Sequence, residues 1–115
     1  MATMTEPAPT TRARKIHVLH IDACPNWTEA GARARHALDS LGRHDIEVEY
    51  VLIRTAQDAA AVPFAGSPTI TFDGEDLFPS DGQTSDLACR VYLTENGLAG
   101  LPTDRQLEDA IRGRL

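Results

Sequence analysis

Short apolar runs alternate along this chain with amphipathic stretches. Residues 16–21 carry Ile16 and Val18 on one side and Leu19 and Ile21 on the other, the pattern of a strand covered on both faces. From Trp27 the apolar positions Ala30, Gly31, Ala34, Leu38 and Leu41 fall on one helical stripe opposite Glu29, Arg33, His36 and Arg43, and Gly42 is a natural stop. Residues 46–53 alternate at period two, with Ile46, Val48, Tyr50 and Leu52 against Glu47 and Glu49, which predicts a strand with one partly wet face. Thr55, with Asp58 three positions on, reads as the cap of a short alanine-rich helix ending at Val62-Pro63. Ser67-Pro68 then precedes a third strand that closes in the Asp73-Gly74 turn.

The C-terminal third is patterned less sharply. Residues 75–87, with Glu75, Asp76, Pro79, Asp81, Gly82 and Asp86, read as a loop longer than a hairpin needs, and such loops are often functional. Residues 88–94 suit a strand better than a short helix. Thr103 or Asp104 caps a final helix whose inner face carries Leu107, Ala110 and Ile111, with Arg112 and Arg114 near its negative end. The order is βαβα followed by ββα, an α/β class. Residues 1–14, rich in Thr, Ala and Pro and without periodicity, are expected to be a disordered tail ahead of one domain over 15–115. The basic residues Arg12, Arg14 and Lys15 could touch an acidic partner, although a solvated lead-in explains them as well.

Composition narrows the function classes. A chain of 115 residues that is 42% hydrophobic can bury one real core without staples. Its net charge of -6, from 17 acidic and 11 Lys and Arg residues, gives no basic face for phosphates, so no nucleic-acid partner is expected. No apolar run approaches the ~20 residues of a membrane span, and no signal-peptide core is evident, so the expected location is the cytoplasm. In that reducing compartment, two cysteines are reactive, metal-binding or simply buried rather than a secreted scaffold.

The chemistry concentrates where the first strand runs into the first helix, at Cys24-Pro25-Asn26-Trp27. A helix start leaves N–H groups unpaired and carries partial positive charge, so it stabilises an anion such as a thiolate. Pro25 fits the first helical position, since its missing N–H would be unpaired anyway. Cys24 is therefore expected at or next to the N-cap, where a thiol pKa falls from about 8.5 into a range of roughly 3.5–7.5.

This element order, with Cys24-Pro25 at the first junction and Ser67-Pro68-Thr69 before the third strand, resembles the thioredoxin-like superfamily. Cys24-Pro25-Asn26-Trp27 is similar to the Cys-Pro-x-Cys motif of glutaredoxin-type members, and Gly66-Ser67-Pro68-Thr69 to their cis-proline segment. The resemblance implies a three-layer sandwich around a four-stranded mixed sheet, its first pair parallel and its last antiparallel. It further implies that the Pro68 loop packs against the active cysteine and that its backbone pairs with an extended thiol substrate. Pro25, Trp27, Ser67, Pro68 and Thr69 are the matching substrate-binding positions. Trp27 stands where the family has its second cysteine, so Cys24 lacks a partner within the motif.

Three readings of Cys24 follow from that departure. It works as a nucleophile with an outside thiol, it pairs with Cys89 as resolving thiol, or the chemistry has been lost. The implied partner is a protein or small-molecule thiol or disulfide, with no cofactor, no metal and no particular oligomeric state. Each residue also has a plainer role. Cys24 could be a buried space-filler, Cys89 a small hydrophobe among Leu87, Val91 and Leu93, and Trp27 a packing residue rather than the wall of a thiol pocket. Asp22 could take a proton during exchange or merely cap the strand. His17 and His20 lie on opposite faces of their strand, which argues against one shared metal. Two other classes use the same residues: a thioredoxin-fold binding module without chemistry, and a protein whose two thiols grip mercury or an organomercurial.

Overall fold

The computed structural model describes residues 14–79 and 87–115. The expected tail, Arg14 excepted, and the loop residues Asp81, Gly82 and Asp86 lie outside the described residues. Arg14 does not behave as part of a tail: its guanidinium pairs with Asp73 at 2.8 Å, donates to the Arg114 carbonyl at 2.9 Å and lies over the Phe72 ring.

The fold is mixed α/β, with a four-stranded mixed sheet in the order β2-β1-β3-β4 and, among the described residues, three helices. Strand β1 (Lys15–His20) lies inside the sheet, parallel to β2 (Glu47–Leu52) and antiparallel to β3 (Thr69–Phe72). Val18 faces Tyr50 on one side and Ile70 on the other. That position explains why 16–21 is apolar on both faces. Ile16 and Val18 join Ala30, Ala34 and Leu38 of helix α1 (Trp27–Ser40) and Leu107 and Ile111 of the last helix in one core. Leu19 and Ile21 join Ile53, Ala59, Phe64 and Cys24 on the opposite face. Each fully buried aliphatic or phenyl side chain there contributes about 1.5–3 kcal/mol relative to exposure. Helix α2 (Ala56–Ala60) is capped as expected, Thr55 Oγ1 accepting from the Asp58 amide at 3.0 Å.

Two features depart from the expected layout. Helix α1 begins at Trp27 with Asn26 as N-cap and no side-chain cap, so Pro25 stands two residues before the helix in a turn rather than at its first position. The Asn26 carbonyl already accepts from Ala30 at 3.0 Å. Cys24 consequently sits just ahead of the helix start, not on it. The fourth strand of the sheet is β4 (Glu75–Asp76), within the stretch read as loop, and not 88–94. The cause is the turn itself: Asp73 (φ 51) and Gly74 (φ 88) both take positive φ, which reverses the chain within two residues and pairs Phe72 with Glu75.

From 88–94 only β5 (Tyr92–Thr94) is strand, and it pairs with β6 (Gly97–Ala99) across a Glu95-Asn96 turn rather than with the main sheet. Leu93 and Leu98 face each other on the exposed side of that ribbon. Helix α3 (Asp104–Arg112) closes the chain against α1. Its start is a capping box, Thr103 Oγ1 accepting from the Gln106 amide at 3.1 Å while Gln106 Oε1 accepts from the Thr103 amide at 2.9 Å.

Removing one half of that reciprocal cap leaves an amide without its acceptor at a helix that carries Leu107 and Ile111 into the core. Thr103→Ala is expected to lower unfolding free energy by about 1 kcal/mol in urea denaturation, with Thr103→Ser close to wild type.

Candidate functional site

Segments far apart in sequence meet just beyond the end of β1. The Ile21 amide donates to Ser67 Oγ at 3.0 Å, tying the strand exit to the loop before β3. The Ser67 amide in turn donates to the Ala88 carbonyl and the Ser67 carbonyl accepts from the Arg90 amide, both at 2.8 Å. These two bonds make an isolated parallel bridge between Ser67 and Cys89. Cys89 bonds Cys24 in a disulfide that spans 65 residues, with Cα atoms 6.0 Å apart, within the usual range of about 4.4–6.8 Å.

The loop that receives this segment is shaped for it. The Ser67-Pro68 peptide is cis, and Gly66 has φ +108, a conformation that side-chain-bearing residues rarely adopt. A Cβ on Gly66 would stand 2.9 Å from the Arg90 Cα, so the glycine also makes room for the crossing backbone. Ser67, Pro68 and Thr69 are all buried. Thr69 Oγ1 accepts from the Ala65 amide at 3.0 Å and donates to the Gly66 carbonyl, holding the loop to itself.

A second layer pins the far side of the Cys89 segment. The Arg90 guanidinium makes two hydrogen bonds to the Asp76 carboxylate at 3.0 and 3.1 Å, donates to the Phe78 carbonyl and lies over the Tyr92 ring. The pair is well buried, with side chains 7% and 11% exposed. Burial pushes the Asp76 carboxyl above its ordinary value, against the opposing pull of the Phe78 amide, Arg90 and Arg114. Burial likewise raises the Tyr92 phenol far above its ordinary value. The phenol therefore stays protonated, and its hydroxyl donates to the Pro68 carbonyl. Asp76, Arg90 and Tyr92 were not candidates from sequence. The signals for them were an arginine two residues before a tyrosine, in a segment whose alternation buries 90, 92 and 94, and an aspartate just past a tight turn.

The two sulfur-bearing residues differ in surroundings. Cys24 is 1% exposed and packs among Leu19, Ile21, Ile53, Ala59 and Phe64. Cys89 is exposed, as are Leu87, Ala88 and Val91 around it. A hollow of about 330 Å³, lined by Ile21, Asp22, Ala23, Ile53, Arg54 and Leu87, opens beside the two cysteine-bearing segments.

The remaining candidates fall in two places. Trp27 belongs to the other face of the sheet, where it stacks on His20 with ring centres 4.2 Å apart and meets Tyr50 edge-on at 5.3 Å. Gly31 lets the Tyr50 ring lie against α1, since a Cβ there would be 2.0 Å from its hydroxyl. Pro25 is exposed in the turn ahead of α1. His17 pairs with Glu49 at 3.3 Å, on the face opposite His20, whose Nδ1 is buried without a hydrogen-bond partner. Among the described residues, no group of three or more His, Cys, Asp or Glu is arranged to hold a metal ion, and no helix is long and apolar enough to cross a membrane.

Compared with known proteins, the chain matches no family model and no curated protein.

The clamp gives two expected outcomes in urea denaturation of the oxidised protein. Arg90→Met strands a buried carboxylate and should cost about 3–5 kcal/mol. Tyr92→Phe leaves only the Pro68 carbonyl without its donor and should cost about 1–3 kcal/mol.

Proposed function

We propose that the chain is a thioredoxin-like thiol-disulfide oxidoreductase or redox-sensing protein that works through Cys24 and Cys89. The observation that carries this reading is the disulfide between residues 65 apart, set against the Ser67-Pro68 loop. The layout supports it: α1 and α3 on one face of the sheet, α2 on the other, and strands in the order β2-β1-β3-β4. The pairing also supplies Cys24 with a second thiol from outside its own motif, where Trp27 offers none.

The bond is a two-electron store. In the oxidised protein the sulfurs are joined. Two equivalents of an outside thiol return both to thiols and leave as one disulfide, and the reverse sequence reduces a client disulfide. Cys24 stands close to the start of α1, whose unpaired amides and dipole favour the thiolate. The substrate is a thiol or disulfide, carried by a protein or a small molecule. Closing a loop of 65 residues also stabilises the fold, by about 4 kcal/mol on the chain-entropy model.

Glutathione-coupled reduction of hydroxyethyl disulfide tests the reading. Wild-type protein should turn the disulfide over, and Cys24→Ser and Cys89→Ser should each lower the rate at least tenfold. A wild-type rate equal to the protein-free blank, or full activity in both variants, overturns it.

A further inference from the structure

Thiol-disulfide exchange proceeds by in-line displacement: the incoming thiolate approaches one sulfur from the side opposite the sulfur that leaves. Which sulfur is attacked therefore depends on what lies behind each. Cys24 is 1% exposed and belongs to the buried cluster of Leu19, Ile21, Ile53, Ala59 and Phe64, which leaves an incoming thiolate little access to its sulfur. Cys89 is exposed, and its neighbours Ala88 and Val91 are exposed with it. The backbone of 88–90 bonds to Ser67, and within it Ala88 and Cys89 are exposed while Arg90 is buried.

Resting on the exchange reading above, we propose that Cys89 is the sulfur that meets the outside thiol, and that Cys24 is the buried leaving group and resolving thiol. This reverses the roles implied by the position of Cys24 in its motif. Reductive opening then runs in two balanced steps. A low-molecular-weight thiolate attacks the Cys89 sulfur, the bond to Cys24 breaks, and its electron pair stays on Cys24 as a thiolate beside the α1 start. A second thiolate attacks the outer sulfur of the mixed disulfide, releasing the small disulfide and a Cys89 thiolate. Oxidation by the same small disulfide retraces this path: Cys89 forms the mixed disulfide and Cys24 displaces the small thiol.

Two features make the division of labour workable. A group leaves more readily the more its anion is stabilised, and Cys24 lies three residues ahead of Trp27, the first residue of α1. Cys89 also stays near Cys24 after the bond opens, because Ser67 holds its backbone and the Arg90–Asp76 and Tyr92–Pro68 contacts hold the residues that follow. Resolution is then an intramolecular step with a high effective concentration.

The test uses the oxidised wild-type protein and glutathione. Aliquots are quenched in acid at successive times, digested with pepsin without raising the pH, and mapped by mass spectrometry. Glutathione is expected on the Cys89 peptide at least tenfold over the Cys24 peptide. An adduct mainly on Cys24, or equal adducts, overturns the assignment. Where resolution outruns the quench and no adduct is caught, the initial rates of Cys24→Ser and Cys89→Ser with oxidised glutathione decide. Cys24→Ser, which keeps Cys89, should react at least tenfold faster, and equal or reversed rates overturn the assignment. A protein that turns over disulfide but carries its adduct on Cys24 refutes this inference alone. Absence of turnover refutes the exchange reading instead.

Discussion

The hydrogen bonds that Ser67 makes through its own amide and carbonyl hold the 88–90 segment, and with it Cys89, against the loop before β3. That segment is not part of the four-stranded sheet, so without the Ser67 bridge its backbone polar groups would need water or another strand. Because Ser67 Oγ also accepts from the Ile21 amide, one residue fixes both cysteine-bearing segments. The disulfide then joins backbones already held in place by non-covalent contacts. The cis Ser67-Pro68 bond, the open φ of Gly66 and the Tyr92 hydroxyl on the Pro68 carbonyl all belong to the same small assembly.

The two faces of the sheet are packed differently. The face of Ile16 and Val18 carries both long helices and the aromatic stack of Trp27, His20 and Tyr50. Among the described residues, the other face carries short α2 with Phe64, and Cys24 completes its core. A cysteine used as a core residue on one side and as half of a solvent-reaching bond on the other links the redox state to packing. The buried Arg90–Asp76 pair sits on the opposite flank of the bridge, where desolvation opposes its attraction. Its geometric effect is clear: two hydrogen bonds to the carboxylate and one to the Phe78 carbonyl fix the arginine that follows Cys89.

Most of the fold was legible because its periodicities are strong. The two-sided apolar run at 16–21, the stripe from Trp27 to Leu41, the Thr55 and Thr103 caps and the Asp73-Gly74 turn each have a local physical cause that survives folding. What was not legible depends on contacts distant in sequence. Glu75–Asp76 is too short and too acidic to announce a strand, and pairs only because the turn delivers it to Phe72 and Thr71. Residues 88–94 alternate like a strand, but their pairing partners are a single loop residue and the following ribbon. Around the candidate site, Cys24 and Ser67-Pro68-Thr69 were marked by local sequence. Cys89 could be named only as one possibility, and the clamp of Asp76, Arg90 and Tyr92 emerges from packing alone.

Arg14 and the Arg114 carbonyl touch, although they are 100 positions apart. Both lie where β1 begins, whereas the cysteines gather where it ends, a strand of six residues away, or roughly 20 Å at about 3.3 Å per residue. Arg14 and Arg114 thus lie at the pole of β1 remote from the disulfide. A partner fused after Leu115 would be joined at that pole, a strand's length from the Cys24–Cys89 bond.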